Sequence, residues 1–280
     1  TNNGNTNNGN TNNGNTNNGQ NNNGGLCDFD GTAAVKLEVD VGWDSGLAIK
    51  EGSGLLEIWF KADLDHEGNV ISVAGSPCGV AIPDFETNII AGDERIGTVW
   101  PDGFWSSPGI PGLDLTLNLT DSEPGSQLEI QPAPLLLGAT MNDELNDPWP
   151  ARWNQLDTAD HDGDGKPGVT TLAKQDGDYG LPRLDILNDQ LRADQIYLAF
   201  RTTFSLDGVI DSCDSASGVA TFAIEQHAVG CRVSGGADCQ SGQVDLLDNN
   251  LPKFSVRTAN FELQKIVDGG SCADVQSALP

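Results

Sequence analysis

The chain has 280 residues, with 41 Asp and Glu against 14 Lys and Arg and a net charge of -27. That excess repels polyanions and so excludes nucleic acid and anionic membrane surfaces as partners. No apolar run approaches the roughly 18 residues of a membrane-spanning helix, while a hydrophobic fraction of 37% still supplies a core.

Residues 1–25 repeat a five-residue unit, TNNGN three times and then TNNGQ and NNNGG. The segment holds no apolar side chain, and Asn and Gly favour turns. It reads as a disordered tether with an r.m.s. span on the order of 28 Å. Stacked Asn ladders, making a filament-forming subunit, are the alternative for such a tract. Thr1 stands first, with no Met and no signal peptide, which reads as a processed or trimmed start.

From Asp28 the texture turns to strand, and residues 26–280 read as a single β-rich domain. Val35, Leu37, Val39 and Val41 alternate with polar neighbours, as in a half-buried strand. Leu55–Ala62 and Asn69–Val73 read as a hairpin across the His66-Glu-Gly68 turn. Short strands are expected at 80–82 and 95–100, before a Pro-Asp-Gly turn at 101–103. Leu113–Leu119 alternates strictly, and Gln127–Ile130 leads into a Pro-broken apolar segment, Pro132–Gly138.

Residues 139–190 are loop-rich and contain Asp160, Asp162, Asp164 and Gly165, the first half of an EF-hand-like loop, D-x-D-x-D-G. Carboxylates at alternate positions of a tight loop can converge on one hard cation. Gly165 permits the positive φ that brings the Lys166 carbonyl to join them. The twelfth position is Thr171 rather than a bidentate Glu, and Pro167 and Gly168 argue against a helix directly after the loop. Calcium is the expected ion, with Asp157, Asp176 and Asp178 the nearest sources of further ligands. A solvated acidic turn is the bland alternative.

Residues 195–204 and 218–227 are long strand candidates, and Leu184–Ala193 could form a short helix. In 253–266 the apolar face switches near Ala259, which predicts a bulge. Many strands separated by turn signals imply an all-β fold: an antiparallel, lipocalin-like barrel or a sandwich, with a long Asp-rich loop.

Six cysteines without a C-x-x-C pair suit disulfides better than zinc. Cys231–Cys239 is the expected local pair, across Gly235-Gly236, and the other pairings stay open. Together with the acidity and the Asp loop, they suggest an extracytoplasmic setting rich in calcium: secreted, periplasmic or on the outer surface.

At Leu135–Met141, Trp149-Pro150 and above all Asp160-His-Asp-Gly-Asp-Gly-Lys-Pro-Gly-Val-Thr170, the chain resembles a family of exported bacterial lipoproteins of uncharacterised activity. Tyr197–Thr202 is similar to that family's next strand. The resemblance spans about residues 28–267, and the Asp motif is its specific part. It implies a polar tether behind a lipid anchor and a β-domain bearing a calcium loop. It brings no catalytic residues.

Candidate chemistry outside the loop is sparse. Glu225 and His227 share one face of a strand, but none of the three histidines sits in a nucleophile motif, so a polar strand face is preferred. His161 is expected to point into solvent. Trp105, Trp149 and Trp153 lie in Pro/Gly-rich loops, where aromatics stack on sugar rings or plug the ends of a core. The expected function is a non-enzymatic, calcium-stabilised surface module for binding or assembly, as part of an oligomer or alone. Its partner would be a cell-surface protein or glycan. A small-ligand carrier, a carbohydrate-binding module or a secreted hydrolase are the alternatives.

Overall fold

Alternation of inward apolar and outward polar side chains sets the strands, and their lengths decide how the sheet closes. The structure, a computed structural model, describes residues 26–45, 49–86, 95–174, 193–233 and 235–280. The tether at 1–25, Asp176, Asp178 and nearly all of the helix expected over Leu184–Ala193 lie outside the described residues.

The elements in order are β1 (Gly31–Trp43), β2 (Gly52–Glu67), β3 (Val70–Ala81), β4 (Phe85–Glu86), β5 (Arg95–Ile96), β6 (Thr98–Val99), β7 (Leu113–Leu119) and β8 (Gln127–Leu137). Then come β9 (Ala139–Thr140), β10 (Asp157–Thr158), β11 (Val169–Ala173), β12 (Ala193–Ser212), β13 (Ser215–Val233), α1 (Ser241–Asn250), β14 (Phe254–Lys265) and α2 (Cys272–Ala278). The fold is all-β and antiparallel. Strands β1, β2, β3, β7, β8, β12, β13 and β14 pair in that order and close on β1, a ring of eight. The two strand-rich halves therefore complete one sheet system.

The ring is uneven. Between β13 and β14 only Ser215–Val219 and Asn260–Gln264 pair. The long β12 divides its partners, with Phe200–Val209 facing β8 and Gln195–Leu198 facing β11, which carries β6 outward.

Two local outcomes differ from the sequence pattern. Strand β8 runs straight through Pro132 and Pro134 instead of breaking. A bulge opposite Phe204–Leu206 absorbs the first proline, and both lie beyond the β7 pairing, which stops at Ile130. A missing N–H is harmless on a strand flanked on one side only. In β14 the expected switch of face is present, with the register shift against β1 falling at Arg257, two residues before Ala259.

The ring interior is filled. Phe60 and Phe204 lie 6.2 Å apart, and Phe204 and Phe222 6.4 Å, a layer across the middle. The apolar voids above and below it amount to about 40 Å³ each. Helix α2 packs on the outer face of β1–β3, where Val275 and Leu279 bury Ala34. Three disulfides tie the chain: Cys27–Cys213, Cys78–Cys272 and Cys231–Cys239.

Candidate functional site

The Asp loop bridges β10 and β11, and its backbone is wound around its first carboxylate. Asp160 accepts hydrogen bonds from the N–H groups of Gly163, Asp164 and Gly165 at 2.7–3.1 Å. Glycines at Gly163 and Gly165 supply the positive φ values, 76° and 81°, that this winding needs. Asp164 accepts from the Lys166 N–H and the Thr170 hydroxyl, and Asp162 accepts from the Thr170 N–H with Oδ2. One oxygen from each of Asp160, Asp162 and Asp164 lies within 4.8 Å of the others.

The electrostatics of the three are unequal. Desolvation pushes the Asp160 carboxyl up, but the backbone N–H groups of Gly165, Gly163 and Asp164 hold it below the usual range. Burial dominates at Asp162 and, with the nearby Asp164 charge, pushes its carboxyl up. Oδ1 of Asp162 is buried and has no hydrogen-bond partner. Such an oxygen is costly to leave bare, about 1–3 kcal/mol. A cation is the partner that the donor set fits: it is all oxygen, anionic and held by short local bonds.

The other sequence-derived candidates fall differently. Asp157 is exposed on β10, paired with β9, and is not among the three convergent carboxylates. Thr171, at the twelfth loop position, is buried in β11 and donates to the Ile196 carbonyl, so it faces the sheet. The Lys166 side chain leaves the loop: its ammonium sits 2.9 Å from Asp238 and over the Tyr197 ring. Tyr197 donates to Asp238, and burial followed by the Asp238 charge pushes its phenol up to about 12. Asp238 adjoins Cys239, so the Cys231–Cys239 turn anchors the loop from outside.

His161 is not in solvent. Its Nδ1 accepts the Gly138 N–H at 3.1 Å, and burial pushes its pKa down. The carbonyls of His161 and Asp162 accept the Ser107 hydroxyl, which seats the loop on the segment after Trp105.

The tryptophans named as stacking platforms are half-buried and each packs against a core cluster. Trp105 lies edge-on to Trp100 and Phe104, with centroids at 5.1 and 4.7 Å, against the end of the core. Trp149 stacks on His227 at 5.8 Å and carries the Arg201 guanidinium at 5.5 Å. Trp153 donates to Asp245 at 2.6 Å and packs into a small cluster with Tyr197 and Val229.

Sequence reading missed the two buried cations beneath this region. Arg201 pairs with Glu225 and donates to the carbonyls of Glu144 and Asp147 at 3.0 and 2.7 Å. His227 places Nδ1 at 2.9 Å from Asp248 and Nε2 at 2.9 Å from the Pro150 carbonyl. Both nitrogens face acceptors, a geometry satisfied only by the imidazolium. Burial works against that charge, but Asp248 and the carbonyl prevail and raise the pKa. Glu225 and His227 thus share a face without contacting one another. The carbonyls that Arg201 and His227 hold lie 54 to 77 positions away in loops, beyond any local pattern.

His66 and Ser122 approach at 3.2 Å, the described pairing closest to a nucleophile and its base. His66 Nδ1 accepts the Phe29 N–H, which places the proton on Nε2, facing Ser122 and the Gly68 carbonyl at 2.8 Å. That tautomer donates toward the serine and cannot activate it. No family model matches the chain, and no curated protein matches it.

Proposed function

We propose that the chain is an extracytoplasmic, calcium-stabilised β-domain that serves binding or assembly rather than catalysis. The observation that carries the metal is the buried, partnerless Oδ1 of Asp162 beside two further carboxylates. A hard divalent ion would take Asp160, Asp162 and Asp164 as ligands, with the Lys166 carbonyl from the seventh loop position. Its role is to neutralise charge that the folded loop concentrates. Six paired cysteines support an oxidising compartment. A lipid anchor ahead of the tether follows from the lipoprotein resemblance, and the intact mass of the native protein tests it. Against the carrier alternative stand the interior voids, about 40 Å³ each, where ligand clefts run to about 300–1,000 Å³.

The test is a melting curve in excess calcium and again in excess EGTA, for the parent and for Asp162→Ala. An ion at 100 times its Kd adds about 2.7 kcal/mol, and at roughly 2–4 °C per kcal/mol that is about 5–10 °C. The parent is expected to lose this increment on chelation and Asp162→Ala never to show it. Identical parent curves with and without calcium would refute the metal.

A further inference from the structure

A crater of about 360 Å³ opens between the segment at 140–150 and the turn at 155–157. Its polar wall comes from Thr140, Asn142, Asp147, Gln155 and Asp157, and its apolar part from Met141, Pro148, Pro150 and Leu156. The side chains of Asn142, Gln155 and Asp157 have no hydrogen-bond partner among the described residues. No Lys, Arg or His lines the crater.

The rim is held from beneath with unusual care. Arg201 grips the carbonyls of Glu144 and Asp147, and His227 grips that of Pro150. The β9–β10 pairing fixes Thr140 against Asp157. Both cations are buried and need the counter-ions Glu225 and Asp248. Buried ion pairs rarely stabilise a fold more than apolar packing would, but they impose one geometry. Here that geometry belongs to three backbone carbonyls of a surface loop, so the crater wall is held in one arrangement before any ligand arrives.

The wall chemistry narrows what is presented to. Two carboxylates without a cation reject phosphates and acids. A bare amine would use the carboxylates and leave both amides idle. A purely apolar ligand would strand every polar group. A ligand with many groups that both donate and accept, and with C–H faces to lie on proline and leucine, uses all of the wall. We infer that this crater binds a neutral or amine-bearing saccharide unit, with Asn142, Asp147, Gln155 and Asp157 taking its hydroxyl or ammonium groups. The inference rests on the binding-module reading and names its ligand class; it is independent of the metal.

The experiment is saturation-transfer NMR and calorimetry on the full chain in calcium, titrated with neutral methyl hexosides, the matching hexosamines, glucuronic acid and butylamine. At least one hexoside or hexosamine is expected to bind saturably, and glucuronic acid is not. Gln155→Ala and Asp157→Asn, both exposed and outside the packing, are expected to weaken binding about tenfold each with unchanged melting. The inference is overturned if no hexoside or hexosamine saturates, if glucuronic acid binds equally well, if butylamine alone binds, or if both variants bind like the parent. The calcium response of the melting temperature is read on the same sample, so failure of the crater and failure of the metal are told apart.

Discussion

Replacing Arg201 by Met keeps the length and apolar bulk of the side chain but removes its charge. Three oxygen acceptors then lose their donor, the Glu225 carboxylate and the carbonyls of Glu144 and Asp147, along with the weaker Met141 sulfur. Breaking a buried pair from one side costs about 3–5 kcal/mol. The Glu225 side chain keeps 39% of its exposure against 6% for Arg201, so water recovers part of its solvation and the lower end applies. The two carbonyls add about 1 kcal/mol together, since they sit at a hydrated surface. The sum, about 4 kcal/mol, corresponds to roughly 8–16 °C in melting temperature for a domain of this size. Calorimetry on Arg201→Met, Glu225→Gln and the double variant completes the cycle. Glu225→Gln leaves the buried guanidinium only a neutral acceptor and is expected to cost about 3 kcal/mol, and the double variant is expected to be more stable than Arg201→Met. A shift below about 2 °C for Arg201→Met would refute the claim that this cation pins the loop.

Two further outcomes follow from buried or covalent ties. His227 has a folded pKa raised above the ordinary 6.5, so its contribution is complete below that value and lost as pH rises through the raised one. The parent melting temperature is expected to fall from about pH 6.5 upward, where carboxylates no longer titrate, and that fall should be absent in His227→Gln; parallel curves would count against the imidazolium. Changing Cys78 and Cys272 together to Ser opens a loop spanning 194 positions, which in the chain-entropy treatment costs about 5 kcal/mol. Helix α2 should then become a site of early proteolysis, detected as a C-terminal clip by mass; protection equal to the parent would argue that packing alone holds it.

What could be read in advance was whatever is local. Leu113–Leu119 alternates and forms β7, and the Asp loop closes through bonds spanning at most eight positions. The Cys231–Cys239 turn is local in the same way. Strand β8 resisted because prolines forbid a strand only when both its neighbours need the N–H, and neighbours are a tertiary fact. Helix α1 escaped because only Val244 and Leu247 are buried, too few to show a period. A signal for α2 was present and unused: Ser271 and Asp274 form a reciprocal cap. The crater rim was beyond reach, since Arg201 and His227 find their carbonyls 57 and 77 positions away.

The Cys27–Cys213 bond sets how the domain carries load. A pull arriving from the N-terminal side reaches Cys27 and crosses directly to Cys213, a jump of 186 positions. The chain between them, from β1 through β12, forms a closed covalent loop that such tension cannot lengthen. Load passing on toward the C-terminus divides between two covalent routes, one along β13, α1 and β14 and one along β1–β3 to Cys78 and across to Cys272, so β7, β8, β12, the Asp loop and the crater wall at 140–157 sit off the force path.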